Sequence, residues 1–457
     1  MSNIIWQQGE LIEFNITDLT DTGDGVGRWN ERVIFVPDTV PGDKILARLV
    51  HVKAKFAHGQ LKEILQRSPH RLRPSCIVAD KCGGCQWQHI NYQYQLEVKR
   101  NQVVQALERI GGFDNPPVNN VLAAPQPLGY RNKSTYPFGV STAGKVQTGY
   151  YQQGSHQLIN LNQCPVQDER LNPLLEEVKQ DIQKQGWEIY NEKTHQGKIR
   201  HLSLRIGRRT GEMLLTLILC NEKLPGIDKQ AKEWINRYPN LVGVCLNMNS
   251  DRTNAIFGQT TKCIAGQTYL RETFADLDFQ IRPDTFFQIY TETAEALLQE
   301  ISSELKLQGD EEIVDAYCGI GTLSLPLAKQ AKQVIGLEVQ GEAVIQAILN
   351  AKNNHIDNVS FHTGTVEKLL PNLERSPDVV LLDPPRKGCD KTVIEALIKA
   401  QPKRIVYVSC KVATLARDLK LLCQGGLYTL TRVQPADFFP QTAHVEAAAF
   451  LVKGAFM

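Results

Sequence analysis

The sequence is short of the features that would send a chain into or across a membrane. No uninterrupted apolar run approaches the ~18 residues needed to span a bilayer. The opening MSNIIWQQGELIEFN has neither the charged start nor the apolar centre and small-residue cleavage site of a secretion signal. A cytoplasmic protein with no membrane partner is expected. Net charge is also nearly missing: 51 Lys and Arg against 49 Asp and Glu leave +2, so any attraction to a polyanion must come from a local basic footprint. With 42% hydrophobic and 22% charged residues, wholesale disorder does not fit either. Eleven cysteines, an odd number at irregular spacing, do not make the framework of a small secreted domain. Metal ligands, a nucleophile and core filler are the roles left for them.

What is present is patterned in three stretches, with expected boundaries at 1–68, 69–274 and 275–457, in a chain of 457 residues. Residues 8 to about 67 alternate polar and apolar side chains over short segments broken by glycine turns, which predicts a small barrel of the OB type. Its last part is basic, since Lys44, Arg48, Lys53, Lys55, Lys62, Arg67, Arg71 and Arg73 are opposed there by Glu63 alone. Such a stripe is either a solvated strand face or a surface for an RNA backbone. The middle stretch reads as mixed α+β: a cysteine-rich loop feeds an amphipathic helix that ends at Gly111-Gly112, and strand-like HLSLRIG and EMLLTLILC follow. Beyond 275, strands alternate with helices, the sign of a Rossmann-like parallel sheet covered on both faces. The expected fold class is therefore multidomain α/β.

Chemistry gathers at the ends of the predicted strands in the last stretch. EEIVDAYCGIGT runs from a strand into a turn with Gly319 and Gly321, and KQVIGLEV ends at Glu338, 23 residues after Asp315. Glycines after a first strand let backbone approach a ligand, and an acid at the end of the second binds ribose hydroxyls. Without a third phosphate-facing glycine, the pattern favours S-adenosylmethionine over a dinucleotide. The strand in SPDVVLLDPPRKGCD stops at Asp383, and two prolines stiffen the turn behind it. RIVYVSC places Cys410 at the same sheet edge, so Asp383 and Cys410 are expected to converge. A thiol at a strand's carboxyl end, before a helix N-terminus and next to Lys411, is placed for nucleophilic work rather than for packing.

A second cysteine group lies in the middle stretch. Cys76, Cys82 and Cys85 form C-x5-C-x2-C with Gly83 and Gly84 between the close pair, and LNQCPVQ supplies Cys164. The spacing fits either a structural zinc or an iron–sulfur cluster, though not the C-x3-C-x2-C of radical enzymes.

Taken together, DPPRKGC, YVSC with ATLARDL, HVEAAAFL, FFQ at Phe286 to Gln288, GYRNK at Gly129 to Lys133 and CGGCQWQHI resemble the RNA (uracil-5-)-methyltransferases over nearly the whole chain. The resemblance implies an N-terminal TRAM barrel, a central domain with a four-iron (4Fe-4S) cluster, and a C-terminal S-adenosylmethionine domain. It points to the bacterial branch acting on 23S ribosomal RNA, as a monomer. It makes Cys410 the nucleophile and Glu446 the general base. Gln288, Tyr317, Glu338 and Asp383, with the glycine turn, become contacts of the methyl donor, and Cys76, Cys82, Cys85 and Cys164 the cluster ligands. One departure is visible: Lys411 and Val412 stand where the family has asparagine and proline.

The chemistry explains why these groups are needed. Carbon 5 of uracil is a weak nucleophile until a thiolate adds at carbon 6 and turns the ring into an enolate. After methyl transfer a carboxylate must remove the carbon 5 proton, and burial of Glu446 in a strand of alanines is expected to raise its basicity. The target must also leave its base stack; the barrel's stripe, Arg131 and Lys133 are candidates for phosphate contacts, and Phe286 for stacking the extruded base. Two rivals remain: a transfer RNA (tRNA) uridine or a cytosine as target, and a non-catalytic RNA-binding iron–sulfur assembly factor.

Overall fold

The computed structural model describes residues 6–221, 223–373 and 375–454. The first five strands, β1 (Leu11–Leu19), β2 (Gly25–Trp29), β3 (Arg32–Val36), β4 (Lys44–Val52) and β5 (Phe56–Gln66), close into a barrel in the order β1-β2-β3-β5-β4. Alternation along β1 and β4 is clean, with Ile12, Phe14 and Ile16 facing Ile45, Ala47 and Leu49 in the interior while Lys44 and Arg48 face water. Most of the expected basic stripe is exposed. Arg71 departs from it, because its guanidinium is tied to the buried Asp43 carboxylate at 2.5 Å and holds the barrel's exit instead.

Helix α1 (Tyr92–Ala106) follows, capped by the Asn91 side chain, and runs through a wide turn to the left-handed Gly112. Its buried face is not the apolar stripe that an amphipathic pattern predicts, since it includes Gln95 and Lys99, both fully buried. Lys99 pairs with Asp437 at 2.6 Å, both side chains 0% exposed. Removing one partner of such a pair costs about 3–5 kcal/mol. The end of α1 packs into the core of the C-terminal sheet through Val103 and Leu107, so residues near 91–122 belong in space with the last domain although they precede the central one.

The central sheet has seven strands: β6 (Lys133–Val140), β7 (Val146–Tyr151), β8 (Leu158–Asn160), β9 (Ile199–Ile206), β10 (Met213–Leu219), β11 (Leu241–Met248) and β12 (Thr260–Gly266), in the order β12-β11-β10-β9-β6-β7-β8. Helices α2 (Asn172–Gln185) and α3 (Ile227–Arg237) cover one face with Val178, Ile182 and Trp234. A hairpin, β13 (Leu270–Phe274) and β14 (Leu277–Ile281), leads into α4 (Thr291–Leu305).

The last sheet is built from β15 (Glu312–Ala316), β16 (Gln333–Glu338), β17 (Val359–Thr363), β18 (Val379–Leu382), β19 (Arg404–Ser409), β20 (Tyr428–Ala436) and β21 (Glu446–Lys453). Five parallel strands are closed on one side by the antiparallel β20–β21 hairpin, in the order β17-β16-β15-β18-β19-β21-β20. The crossovers carry α5 (Ser324–Ala328), α6 (Gly341–Asn353), α7 (Val366–Leu369), α8 (Lys391–Ala400) and α9 (Val412–Cys423). Strand β15 has β16 on one side and β18 on the other. The chain order reverses there, which opens a ligand crevice at the carboxyl ends of these strands.

Candidate active site

The turn after β15 is shaped for close approach. Tyr317, Gly319 and Gly321 all take positive φ, at 71°, 55° and 86°. A tyrosine there is sterically costly, a kind of strain concentrated at functional sites. A Cβ added at Gly319 would meet nothing within 4 Å, so the turn leaves open space above its backbone. Glu338 sits across it and accepts from the Gly319 amide at 3.0 Å and the Gln340 amide at 2.8 Å. These bonds fix the carboxylate while leaving lone pairs for ribose hydroxyls. Gln288 lies just before α4, its carbonyl held by the Asn132 side chain at 2.8 Å, and Phe286 beside it is 63% exposed.

Next to that crevice the structure brings Cys410, Glu446 and Asp383 together. Strands β19 and β21 pair up to Ser409 with Ala447, and continuing the antiparallel register by one residue sets Cys410 opposite Glu446. Asp383 leaves β18 with its amide on the Ala316 carbonyl. The pKa shifts report the company each group keeps. Burial, then the Asp383 carboxylate, pushes Glu446 well above the usual carboxylate range, with Arg386 opposing. Burial and neighbouring Asp315 push Asp383 up to about 7. Asp315 is pushed up to about 7 itself, mainly by burial, although Ser324 donates to it at 2.5 Å. Burial, then Glu446, pushes the Cys410 thiol up, and the Arg386 guanidinium pulls it back.

This differs from the thiolate that a helix N-terminus beside Lys411 would favour. Lys411 is exposed and acts as the cap residue of α9 without a side-chain capping bond, so the counter-charge near the sulfur is Arg386, inside the DPPR segment. Sequence reasoning passed over Arg386, although its place three residues after Asp383 was the available signal. Its loop is braced from α9: Thr414 Oγ1 donates to the Arg386 carbonyl at 3.3 Å, and Asp418 accepts from the Cys389 amide at 2.9 Å and the Tyr407 hydroxyl at 2.6 Å.

The four thiols of Cys76, Cys82, Cys85 and Cys164 line one pocket beside Tyr150. The Gly84 amide donates to Cys82 Sγ at 3.4 Å. Burial pushes Cys85 up to about 12 and raises Cys82 and Cys164 as well. Among the described residues no three His, Cys, Asp or Glu side chains are gathered as the ligands of a metal ion. Arg131 and Lys133 are not free for phosphate. Arg131 is next to Cys85 and Cys164, with its buried Nε unpartnered, and Lys133 donates to the Pro283 carbonyl at 3.3 Å over the Phe257 ring. Both cations have turned inward, Arg131 donating to the Tyr150 hydroxyl at 3.4 Å and Lys133 to a carbonyl.

A small closed barrel joined to a doubly wound sheet with a ligand crevice at its switch point is the architecture that a methyl-donor-dependent enzyme acting on nucleic acid would need. Comparison with known proteins makes the assignment specific. Residues 91–454 match the tRNA (Uracil-5-)-methyltransferase family and residues 6–62 the TRAM domain. An uncharacterized RNA methyltransferase of Nostoc sp. is 69% identical over 99% of this chain and 98% of its own. Another, of Synechocystis sp., is 57% identical over 98% and 96%. The Pyrococcus abyssi tRNA (uracil-54, C5)-methyltransferase in complex with S-adenosyl-L-homocysteine superposes with a TM-score of 0.77 at 28% identity, covering 96% of this chain and all of the other. The chain belongs to the RNA (uracil-5-)-methyltransferase family, whose members use S-adenosylmethionine, and it carries a TRAM domain.

Proposed function

We propose that this enzyme methylates carbon 5 of a uridine in 23S ribosomal RNA through a covalent bond between Cys410 and the base. The observation that carries the reading is the register that opposes Cys410 and Glu446 across β19 and β21, with Arg386 and Asp383 beside them. The partly exposed Cys410 thiol loses its proton to solvent as sulfur adds to carbon 6, and Arg386 is placed to stabilise the enolate that follows. The enolate's carbon 5 takes the methyl group supplied by S-adenosylmethionine, whose adenosine side Gln288, Tyr317, the glycine turn, Glu338 and Asp383 would hold. Glu446 then takes the carbon 5 proton; that electron pair forms the carbon 5–carbon 6 double bond, and Cys410 leaves as thiolate. Glu446 is suited to this because burial makes it a stronger base than an exposed carboxylate.

The cysteine pocket favours the ribosomal target, since the cluster-bearing form of the family is the one it resembles. Four thiols around one cavity are the donor set that an iron–sulfur group would take, and Arg131, beside Cys85 and Cys164 and donating to the Tyr150 hydroxyl at 3.4 Å, would answer the negative charge of a thiolate-ligated cluster. Such a group would cross-link the loop 76–85 to Cys164; no step of methyl transfer passes through it. The tRNA reading is the second one, favoured by the tRNA enzyme of Pyrococcus abyssi. Mapping 5-methyluridine in both RNAs from a strain deleted for this chain separates them. Loss of a 23S site is expected, and loss confined to tRNA overturns the ribosomal assignment.

A further inference from the structure

The segment between β20 and β21, residues 437–445, ends at the candidate base. Connections normally run over the surface. In this one only His444 is exposed, and seven of the nine residues are buried, so its polar backbone must find partners inside the protein. They come from the other end of the chain. The amides of Gln86 and Trp87, directly after Cys85, both donate to the Gln441 carbonyl, at 3.1 and 3.0 Å. The Gln95 side chain locks onto Gln441 twice: its Nε2 donates to Gln441 Oε1 at 3.1 Å, and its Oε1 accepts from the Gln441 backbone N–H at 3.0 Å. Lys99 holds Asp437 and the Phe439 carbonyl, and the Tyr130 hydroxyl donates to the Pro440 carbonyl at 3.0 Å. Trp87 in turn donates from Nε1 to the Gly23 carbonyl of the barrel at 3.1 Å.

Glu446 is the first residue of β21, where a strand frays first, and its carboxylate must stay buried between Asp383 and Arg386 to keep its basicity. Gln441 is the most anchored residue of the segment and holds a left-handed backbone at φ 68°, a conformation that a non-glycine residue keeps only when its surroundings impose it. We infer that Gln441 and Gln95 are positioning residues for the base, and that the strap they lock serves one step, removal of the carbon 5 proton with expulsion of Cys410. Adduct formation and methyl transfer depend on Cys410 and the donor crevice, to which none of these strap hydrogen bonds runs. The inference builds on the assignment of Glu446 as base, and it gives the cysteine loop and helix α1 a structural route to the reaction.

Gln441→Gly tests it, because glycine keeps the left-handed backbone and its hydrogen bonds at no steric cost and deletes only the side-chain part of the anchor, the bonds from Gln95 Nε2 and to the Pro127 carbonyl. The substrates are 23S and tRNA transcripts made with uridine or with 5-fluorouridine, whose fluorine blocks proton removal and traps every adduct that forms. With fluorinated RNA the variant should form adduct at the wild-type rate. With ordinary RNA it should release methylated product about 10–100-fold more slowly, the range for a catalytic group displaced by about 1 Å, and a slowed enzyme–RNA band should accumulate on a denaturing gel. Gln95→Ala should do the same, and the double variant should add little, since the two amides form one unit. Gln441→Asn, which tolerates the backbone and retains an amide, should recover part of the rate. Release at the wild-type rate, or equal slowing of adduct formation and release, overturns the inference. Glu446→Gln is the control: if it accumulates no adduct, the base assignment itself fails. If it accumulates adduct and Gln441→Gly does not, the strap alone is wrong.

Discussion

The two candidate cysteine sites differ in the neighbours that surround their thiols. Around Cys410 stand carboxyls and one arginine: Glu446 and Asp383 raise the thiol's proton affinity and Arg386 lowers it. Around Cys82, Cys85 and Cys164 the dominant influence is burial, with other thiols adding to it and Arg131 opposing. The first environment has groups that exchange protons near neutral pH and a cation to meet transient negative charge. The second has nothing that would accept four thiol protons, so thiolates persist there only if a bound group supplies the positive charge. On the proposed reading, the same side chain would serve reaction in one place and ligation in the other.

The largest effect expected from breaking this contrast is at Cys410. Cys410→Ala should lower methylation at least about 10⁴-fold, the scale for loss of a nucleophile, while filter-binding still detects RNA; retained methylation with labelled donor refutes the covalent route. In the other region, Cys85→Ser should leave the methyl-transfer crevice intact but remove iron and visible absorbance from anaerobically purified protein and lower the unfolding midpoint. Colourless wild-type protein holding one zinc would remove the iron–sulfur assignment.

The carboxyl side of the contrast is tested by pH. Asp315 and Asp383 keep their protons up to about pH 7 in the folded chain, whereas unfolded aspartates ionise near 4. Between those values the folded state binds more protons, so their stabilising contribution is full below about pH 4 and is lost as pH rises through about 7. Asp383→Asn should therefore raise the thermal midpoint at pH 8 more than at pH 5 when no methyl donor is added; equal shifts at both values count against a raised Asp383. The smallest effect concerns the cap of α9. Lys411 makes no capping bond, so Lys411→Asn should stabilise the fold by about 1 kcal/mol, read from denaturant midpoints. No gain would mean that the Ser409 hydroxyl, 3.2 Å from the Lys411 amide, already satisfies that turn.

Much of the fold was legible because its signals are local. Period-two alternation marked the barrel strands, and the ends of β16, β18 and β19 fall at Glu338, Leu382 and Ser409, where the apolar runs stop. The DPPR and VSC segments were legible for the same reason. The helical run from Tyr92 ends, as expected, at Gly111 with Gly112 left-handed, but Gln95 and Lys99 on its buried face were not legible, since their partners Gln441 and Asp437 lie more than 300 positions away. Arg131 and Lys133 were misplaced similarly: a positive charge in a motif does not announce whether it faces solvent, a thiol pocket or a carbonyl.

By itself, then, the sequence determined which strands end in chemical groups and which residue types stand there, because periodicity and turn chemistry act over a few residues. Only the tertiary structure decided that Cys410 meets Glu446 and Arg386 rather than Lys411, that four cysteines share a pocket, and that helix α1 grips the strap before β21. Burial and charge proximity set those outcomes, and both depend on distances in space that chain separation does not encode.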